Sequence, residues 1–503
     1  MRGILLDGVI VAGWLVSAGL VAWHDGGNRW AGLSTPASTL SASLETKEQW
    51  FGLYYQGEQI GFSHATLTPE DREGVPGVGL TDVGELVFNL LGEPQRLRIA
   101  ARTFIDNDWK LRLFTASIQT PTHELRWVGH RDGDDLVVAV STPSGQTTKR
   151  FHDANGDMFV TGLSSWVAFH RLRVGQSGRG WVINPLALTP EPVFFHVRRR
   201  ERLGEEDALV VETDLGGMST ESWVSPSGEV LKEISPLGWE LRRLNAKEAL
   251  AGTAAASARL DLISMMSLPL DRPIGDPKQI AHLTLLLEGA GADQLTLARP
   301  WQTLLPQEAL AAFGVAAPHG PWCLIRLGRP TPPSGQPSVI PETVKHYLAP
   351  SPFVQSDDPR IVARTRAIIG TLSDPWQQTT ALNRWVFDTV TKRLTIGLPS
   401  AVDILALPEG DCHEHTVLFT ALARSVGLPT RMIAGLVDQR DRLYYHAWPE
   451  VWIGQWRPTD PTLGQPLADA THLGLIEAEN ERLLGLAQFI GKLRARVLEV
   501  ETN

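Results

Sequence analysis

At 503 residues the chain is long enough for about three domains, and 43% hydrophobic residues permit ordinary cores. A formal charge of −10 and a pI near 5.8 argue against general affinity for nucleic acid. Two cysteines, Cys323 and Cys412, leave no evident structural disulfide and do not identify a redox compartment.

Residues 1–24 read as a membrane anchor: Arg2 precedes an apolar stretch that runs from Ile4 to Trp23 with one interruption, Asp7, and approaches the twenty residues a bilayer needs. The charge bias puts the N-terminus in the cytoplasm. A cleaved signal peptide is the competing reading, with Val16-Ser17-Ala18 as its small-residue site. Both readings export the body to the periplasm or cell surface. Residues 25–48 form a tether, with seven Ser or Thr among residues 34–46.

Residues 49–246 follow period two with turn punctuation, as in Trp50-Phe51-Gly52-Leu53-Tyr54-Tyr55 and the hairpin from Glu221 to Ile234, so a large antiparallel β domain is expected. A short helix is expected around Thr161 to Val174, from Leu163, Trp166, Val167 and Leu172. The run Arg198-Arg199-Arg200-Glu201-Arg202 could recruit an anionic partner, but on an acidic chain it reads as a solvated strand edge. Residues 247–328 begin Ala-rich and helix-prone, then continue as a small β-containing module that holds Cys323 as a structural residue. Five prolines in residues 329–341 make a semi-rigid linker.

In residues 342–475, Pro359 to Leu372 and Pro375 to Thr391 look helical, the second with an apolar face of Trp376, Ala381, Leu382, Trp385 and Val386. Residues 476–503 read as a C-terminal helix, with Leu483, Leu484, Leu486, Ile490, Leu493 and Val497 free to dock on a domain or partner.

The chemistry gathers at Gly410-Asp411-Cys412-His413-Glu414-His415. The run that follows, to Val426, has apolar residues at helical spacing and stops at Gly427 and Pro429, so Cys412 stands at a helix start. The positive end of a helix lowers a thiol pKa and offers amides to an oxyanion. His446 lies 34 residues on, in the β-prone run Tyr444-Tyr445-His446-Ala447-Trp448, and Asp460 a further 14. A turn at Gly454-Gln455 would lay the histidine strand beside the aspartate segment. An imidazole placed there can take the thiol proton and return it to a leaving amine, with the aspartate holding its tautomer.

Asp403-Ile404-Leu405, Gly410-Asp411-Cys412, Gly427-Leu428-Pro429-Thr430-Arg431, His446-Ala447-Trp448 and Asp460-Pro461, in that order, resemble the catalytic core of the transglutaminase-like superfamily. Asp469-Ala470-Thr471-His472-Leu473 resembles a tail of its bacterial members. The resemblance covers roughly residues 340 to 475. It implies a papain-like thiol fold with Cys412 as nucleophile, His446 as base and Asp460 as the orienting acid. The whole chain is then α+β, its C-terminal domain preceded by the large antiparallel β domain and the small module. Pro449 departs from the family pattern and questions the strand pairing beside His446.

His415, three residues after Cys412, is a rival base and a candidate for the substrate cleft together with Trp448, Trp452 and Trp456. His413, Glu414 and His415 do not make a metal site, since i and i+2 positions diverge on a helix, and no cofactor is expected. His472 is either a support behind the site or a solvated loop residue. The expected function is attack on an amide carbonyl of a protein or peptide, forming an acyl-enzyme thioester. Water as acceptor gives a protease or amidase, which is favoured, and an amine gives a transglutaminase. The alternative is a binding or scaffold module of the cell envelope with an idle triad. Oligomeric state is not legible.

Overall fold

The computed structural model describes residues 45–502, apart from 56, 91–92, 108–109, 120–123, 143–144, 153–157, 160–172, 185–188, 216–217, 227–228, 236–237, 256–266, 290, 293–298, 334–339, 394–398, 440–441, 478–488 and 490–491. The expected N-terminal anchor, most of the Ser/Thr tether and nearly all of the expected helix at 161–174 lie outside the described residues. Among those described, no helix is long and apolar enough to cross a membrane.

The chain forms two compact units, one ending at Leu262 and the other beginning at Ile263. In the first, alternating side chains build a meander of fifteen strands. Leu111–Gln119 shows why: Leu111, Phe114, Ala116 and Ile118 are buried while Arg112 and Gln119 are exposed. The first strand, Lys47–Tyr55, pairs antiparallel with the last, Trp239–Leu244. The sheet therefore has its two edges at Gly145–Phe151 and Met158–Phe159, which are consecutive in the chain. All pairings are antiparallel except that of Met158–Phe159 with Ser177–Asn184. The helix Ala246–Ala255 follows, capped by Asn245 and Glu248, and Gln59 Nε2 donates to Ala249 O at 2.8 Å. In the basic run, Arg198 pairs with Glu212, and Arg199 with Glu201 and Glu221, so these exposed guanidinium groups are met by carboxylates of their own sheet.

The second unit holds two larger sheets and a helical layer. In one sheet, Arg442–Trp452 pairs along one edge with Thr430–Asp438, which in turn pairs with Leu473–Glu477. Its other edge is shared between Ser267–Pro269 and Trp456–Pro458. The second sheet runs Gln302–Leu305, Trp322–Gly328, Ile280–Glu288, Arg494–Thr502. The helices Pro359–Ile369, Pro375–Thr389, Ala401–Ala406 and Cys412–Ser425 pack their apolar faces into one core, where Ile361, Leu382, Val386, Phe419, Leu422 and Val451 are buried.

Two expectations are corrected. Arg494–Thr502 is a strand, not part of a C-terminal helix. Its alternation buries Ala495 and Val497 beside Ile280–Glu288, while residues 478–488 of the expected helix lie outside the described residues. The β-containing module expected within residues 247–328 does not stand apart either: its strands belong to the second unit, whose sheet the C-terminal strand completes, while the helical connector, Ala246–Ala255, belongs to the first unit.

Candidate active site

The helix carrying Cys412 is started by local chemistry. The Asp411 side chain accepts from His413 N at 3.2 Å, and Glu414 Oε2 accepts from Asp411 N at 2.7 Å, a reciprocal capping box. Gly410 allows it, because a Cβ there would lie 2.3 Å from Glu414 Cβ.

The helix docks where the outer edge of the histidine strand is unpaired, between Tyr444 and Glu450. There Thr416 Oγ1 donates to Ala447 O at 3.2 Å, and a backbone hydrogen bond from Ala447 reaches the Cys412 thiol. Residues 412 and 416 share a helix face, so one side of the helix takes up both polar groups of the residue next to His446. Pro449 fits the same edge. Its carbonyl accepts from Thr459 N at 3.0 Å, just past the last residue of Trp456–Pro458, so the position without an N–H falls where ladder pairing ends. The turn at Gly454 returns the chain as expected, and Asp460 lies two residues past the returning strand Trp456–Pro458.

His446 Nε2 is 2.7 Å from Asp460 Oδ2, and its Nδ1, buried, has no hydrogen-bond partner. With the aspartate accepting from Nε2–H, the free Nδ1 lone pair is the one able to take a proton. Cys412 and His446 are each 1% exposed. Burial pushes the Cys412 thiol up, the Asp411 carboxylate adds to this, and the Ala447 hydrogen bond pulls the other way. Burial therefore works against the lowering expected from the helix start.

Asp460 receives four donors. Oδ1 accepts from Thr462 N at 2.8 Å and Leu463 N at 2.9 Å, and Oδ2 accepts from His446 and, at 3.1 Å, from His472 Nε2. Burial would raise its pKa, but the two histidines hold it well below the usual carboxylate range. His472 is fully buried, and its Nδ1 lies 3.1 Å from Asp469 Oδ1. This removes the reading of His472 as a solvated loop residue.

The other sequence candidates are buried or half-buried. His415 is buried with Nδ1 donating to Asp411 O, and burial brings its pKa down to about 4. Trp448 is 1% exposed, its ring edge-on to His472 with centroids 5.0 Å apart, so it packs behind the histidines instead of facing a cleft. Gly435 leaves room for it, since a Cβ there would meet the indole at 2.7 Å. Trp452 and Trp456 pack on each other at the hairpin end, and Arg431 covers Trp456 at 4.1 Å. At about 3.3 Å per residue, Trp452 stands roughly 20 Å along the strand from His446, so neither lines the triad.

Among the described residues the group able to hold a cation is His446, Asp460 and His472, whose ligand atoms lie within 4.8 Å of one another. It is not the His413-Glu414-His415 run, where Glu414 is spent on the cap. A cation would have to displace the protons now shared between the two Nε2 atoms and Asp460.

The thiol, the imidazole and the buried carboxylate thus stand on a helix start, on a strand and just past the hairpin that follows that strand. Residues 362–461 match the model of the transglutaminase-like superfamily, the segment that carries all three. No curated protein matches the chain. Among solved structures, a candidate cysteine protease from Cytophaga hutchinsonii is 16% identical, over 45% of this chain and 87% of that one, with a TM-score of 0.29. A β-barrel-like protein of a domain of unknown function from Brucella abortus is 10% identical, over 39% and 95%, with a TM-score of 0.30. A candidate protease from Parabacteroides distasonis is 9% identical, over 82% and 68%, with a TM-score of 0.19. Scores this low carry no argument about mechanism.

Proposed function

We propose that the chain is a thiol enzyme acting on amide bonds of proteins or peptides, held outside the cytoplasm by residues 1–24. The observation that carries the mechanism is the unpartnered Nδ1 of His446, whose other nitrogen is fixed on Asp460, on the residue adjoining the one that bonds the Cys412 thiol. In the first step His446 Nδ1 takes the thiol proton while Sγ bonds the amide carbon. The tetrahedral intermediate then expels the amine, which leaves with the proton from His446, and a thioester remains. Water gives the acid, and a primary amine gives a new amide. In either case His446 takes a proton from the acceptor and returns it to the departing thiolate. Hydrolysis is favoured because water is the default acceptor of a thioester.

The test is to incubate the full chain with denatured casein, with and without a fluorescent primary amine, and to read both new N-termini and amine incorporation. Cys412→Ala should abolish both, His446→Ala should lower them by roughly 10²–10⁴-fold, and Asp460→Asn should lower them less. Equal product from Cys412→Ala and the native chain would end this reading. A second reading, a scaffold with an idle triad, is favoured by the burial of Cys412. Absence of product on every substrate, with specific retention of casein or another polypeptide, would support it.

A further inference from the structure

Asp469, His472, Asp460 and His446 form one continuous polar line in which carboxylates and rings alternate, and the part beyond Asp460, His472 with Asp469, has no role in the mechanism above. Both ring nitrogens of His472 face carboxylate oxygens, Nε2 on Asp460 and Nδ1 on Asp469, each at 3.1 Å. A neutral imidazole has one N–H and would present a lone pair to one of those oxygens, so the geometry calls for both nitrogens protonated. The carboxylates are themselves committed. Asp460 Oδ1 already takes two backbone amides, and Asp469 accepts from Thr471 N and Oγ1 and from Gln465 Nε2.

We propose that His472 is a positioning residue: an imidazolium clamped between Asp460 and Asp469 that fixes the Asp460 carboxylate and offsets its charge, and so sets how strongly Asp460 draws a proton onto His446. This rests on the thiol–imidazole reading of the site. Burial alone would push His472 down, but Asp469 and Asp460 outweigh it and hold its pKa up at about 10. The rings of His446 and His472 are 6.2 Å apart between centroids, close enough for the charge on one to act on the other. Among the described residues, Lys392 and His415 also interact with Asp460, and Asp411 interacts with both His446 and Cys412. Trp448 covers the His472 ring with an uncharged indole.

The rate of Cys412 alkylation by iodoacetamide, measured against pH on the full chain, reads the pair directly. Removing the His472 charge leaves Asp460 uncompensated, which disfavours thiolate and favours imidazolium, so His472→Gln should move the profile up by about one pH unit. A lower rate with an unmoved midpoint would make His472 a structural support and overturn the proposal. His446→Ala serves as the control: if it leaves the native profile unchanged, the thiol–imidazole pair itself is wrong, whatever His472 does. If His446→Ala shifts the profile and His472→Gln does not, only the role of His472 fails. Should His472→Gln not fold, nitrogen NMR of the native chain with labelled histidine decides. Both ring nitrogens of His472 should keep imidazolium shifts through pH 8, and a neutral tautomer at pH 7 would overturn the proposal.

Discussion

Asp460 takes its four hydrogen bonds in a site with no exposure to water, so its charge is answered entirely by protein donors. The stability consequence follows from where the partners titrate. His472, held protonated to about 10 in the folded chain, has an ordinary value of about 6.5 when unfolded. Its contribution is therefore whole below about 6.5 and lost as pH rises through about 10. Asp460 and Asp469 are held low, so their contribution is present above about 4 and lost as pH falls below it. The stability gap between the native chain and His472→Gln, read by urea unfolding, should be widest near pH 5 to 6 and close toward pH 10. A gap independent of pH would mean that His472 is uncharged. Chelator treatment should leave the Cys412 alkylation rate unchanged; a rate that shifts and is restored by added zinc would instead assign His446, Asp460 and His472 to a metal. In the sequence, Cys412, His446 and Asp460 were legible because residue type and spacing coincide. His472 was visible only as a choice between two roles, because nothing in a linear chain shows that both its nitrogens end on carboxylates.

The helix from Cys412 depends on contacts at its first turn and on the gap in the strand it docks against. Gly410→Ala would drive a methyl group into Glu414, break the bond from Glu414 to Asp411 N and tilt the residue that precedes Cys412. The expected cost is about 1–3 kcal/mol by denaturant unfolding, with a larger proportional loss in thiol reactivity than in stability. An unchanged alkylation rate would show that the capping box does not position the thiol. Helix and strand identities here were readable from periodicity and breakers, including the stop at Gly427. The docking was not, because the gap that admits Cys412 and Thr416 exists only once Ser267–Pro269 and Trp456–Pro458 have each taken part of the same edge. Trp452 and Trp456 were misjudged for a related reason, since strand geometry carries Trp452 roughly 20 Å from His446, and Trp448 because it is buried edge-on to His472.

Across the second unit, charges separated widely in sequence are buried together. Glu450, four residues past His446 and fully buried, pairs with Arg299 at 2.5 Å and Arg431 at 2.7 Å, and Arg431 also meets Glu477. Glu450→Gln would strand the buried Arg299 without a counter-charge and should cost about 3–5 kcal/mol in unfolding of this unit. A cost under about 1 kcal/mol would mean that the guanidinium finds water or another partner.

The sequence by itself determined the α+β class, the long β meander, the helix beginning at Cys412 and the order of thiol, imidazole and carboxylate, because each is encoded in local periodicity, turn residues or fixed spacing. Tertiary structure alone decided the rest. It made Arg494–Thr502 a strand by offering an open sheet edge, buried Glu450 between two arginines, closed Cys412 from water and set His472 behind Asp460. These are contacts between residues distant in the chain, and their energies come from burial and charge pairing that no window of the sequence contains.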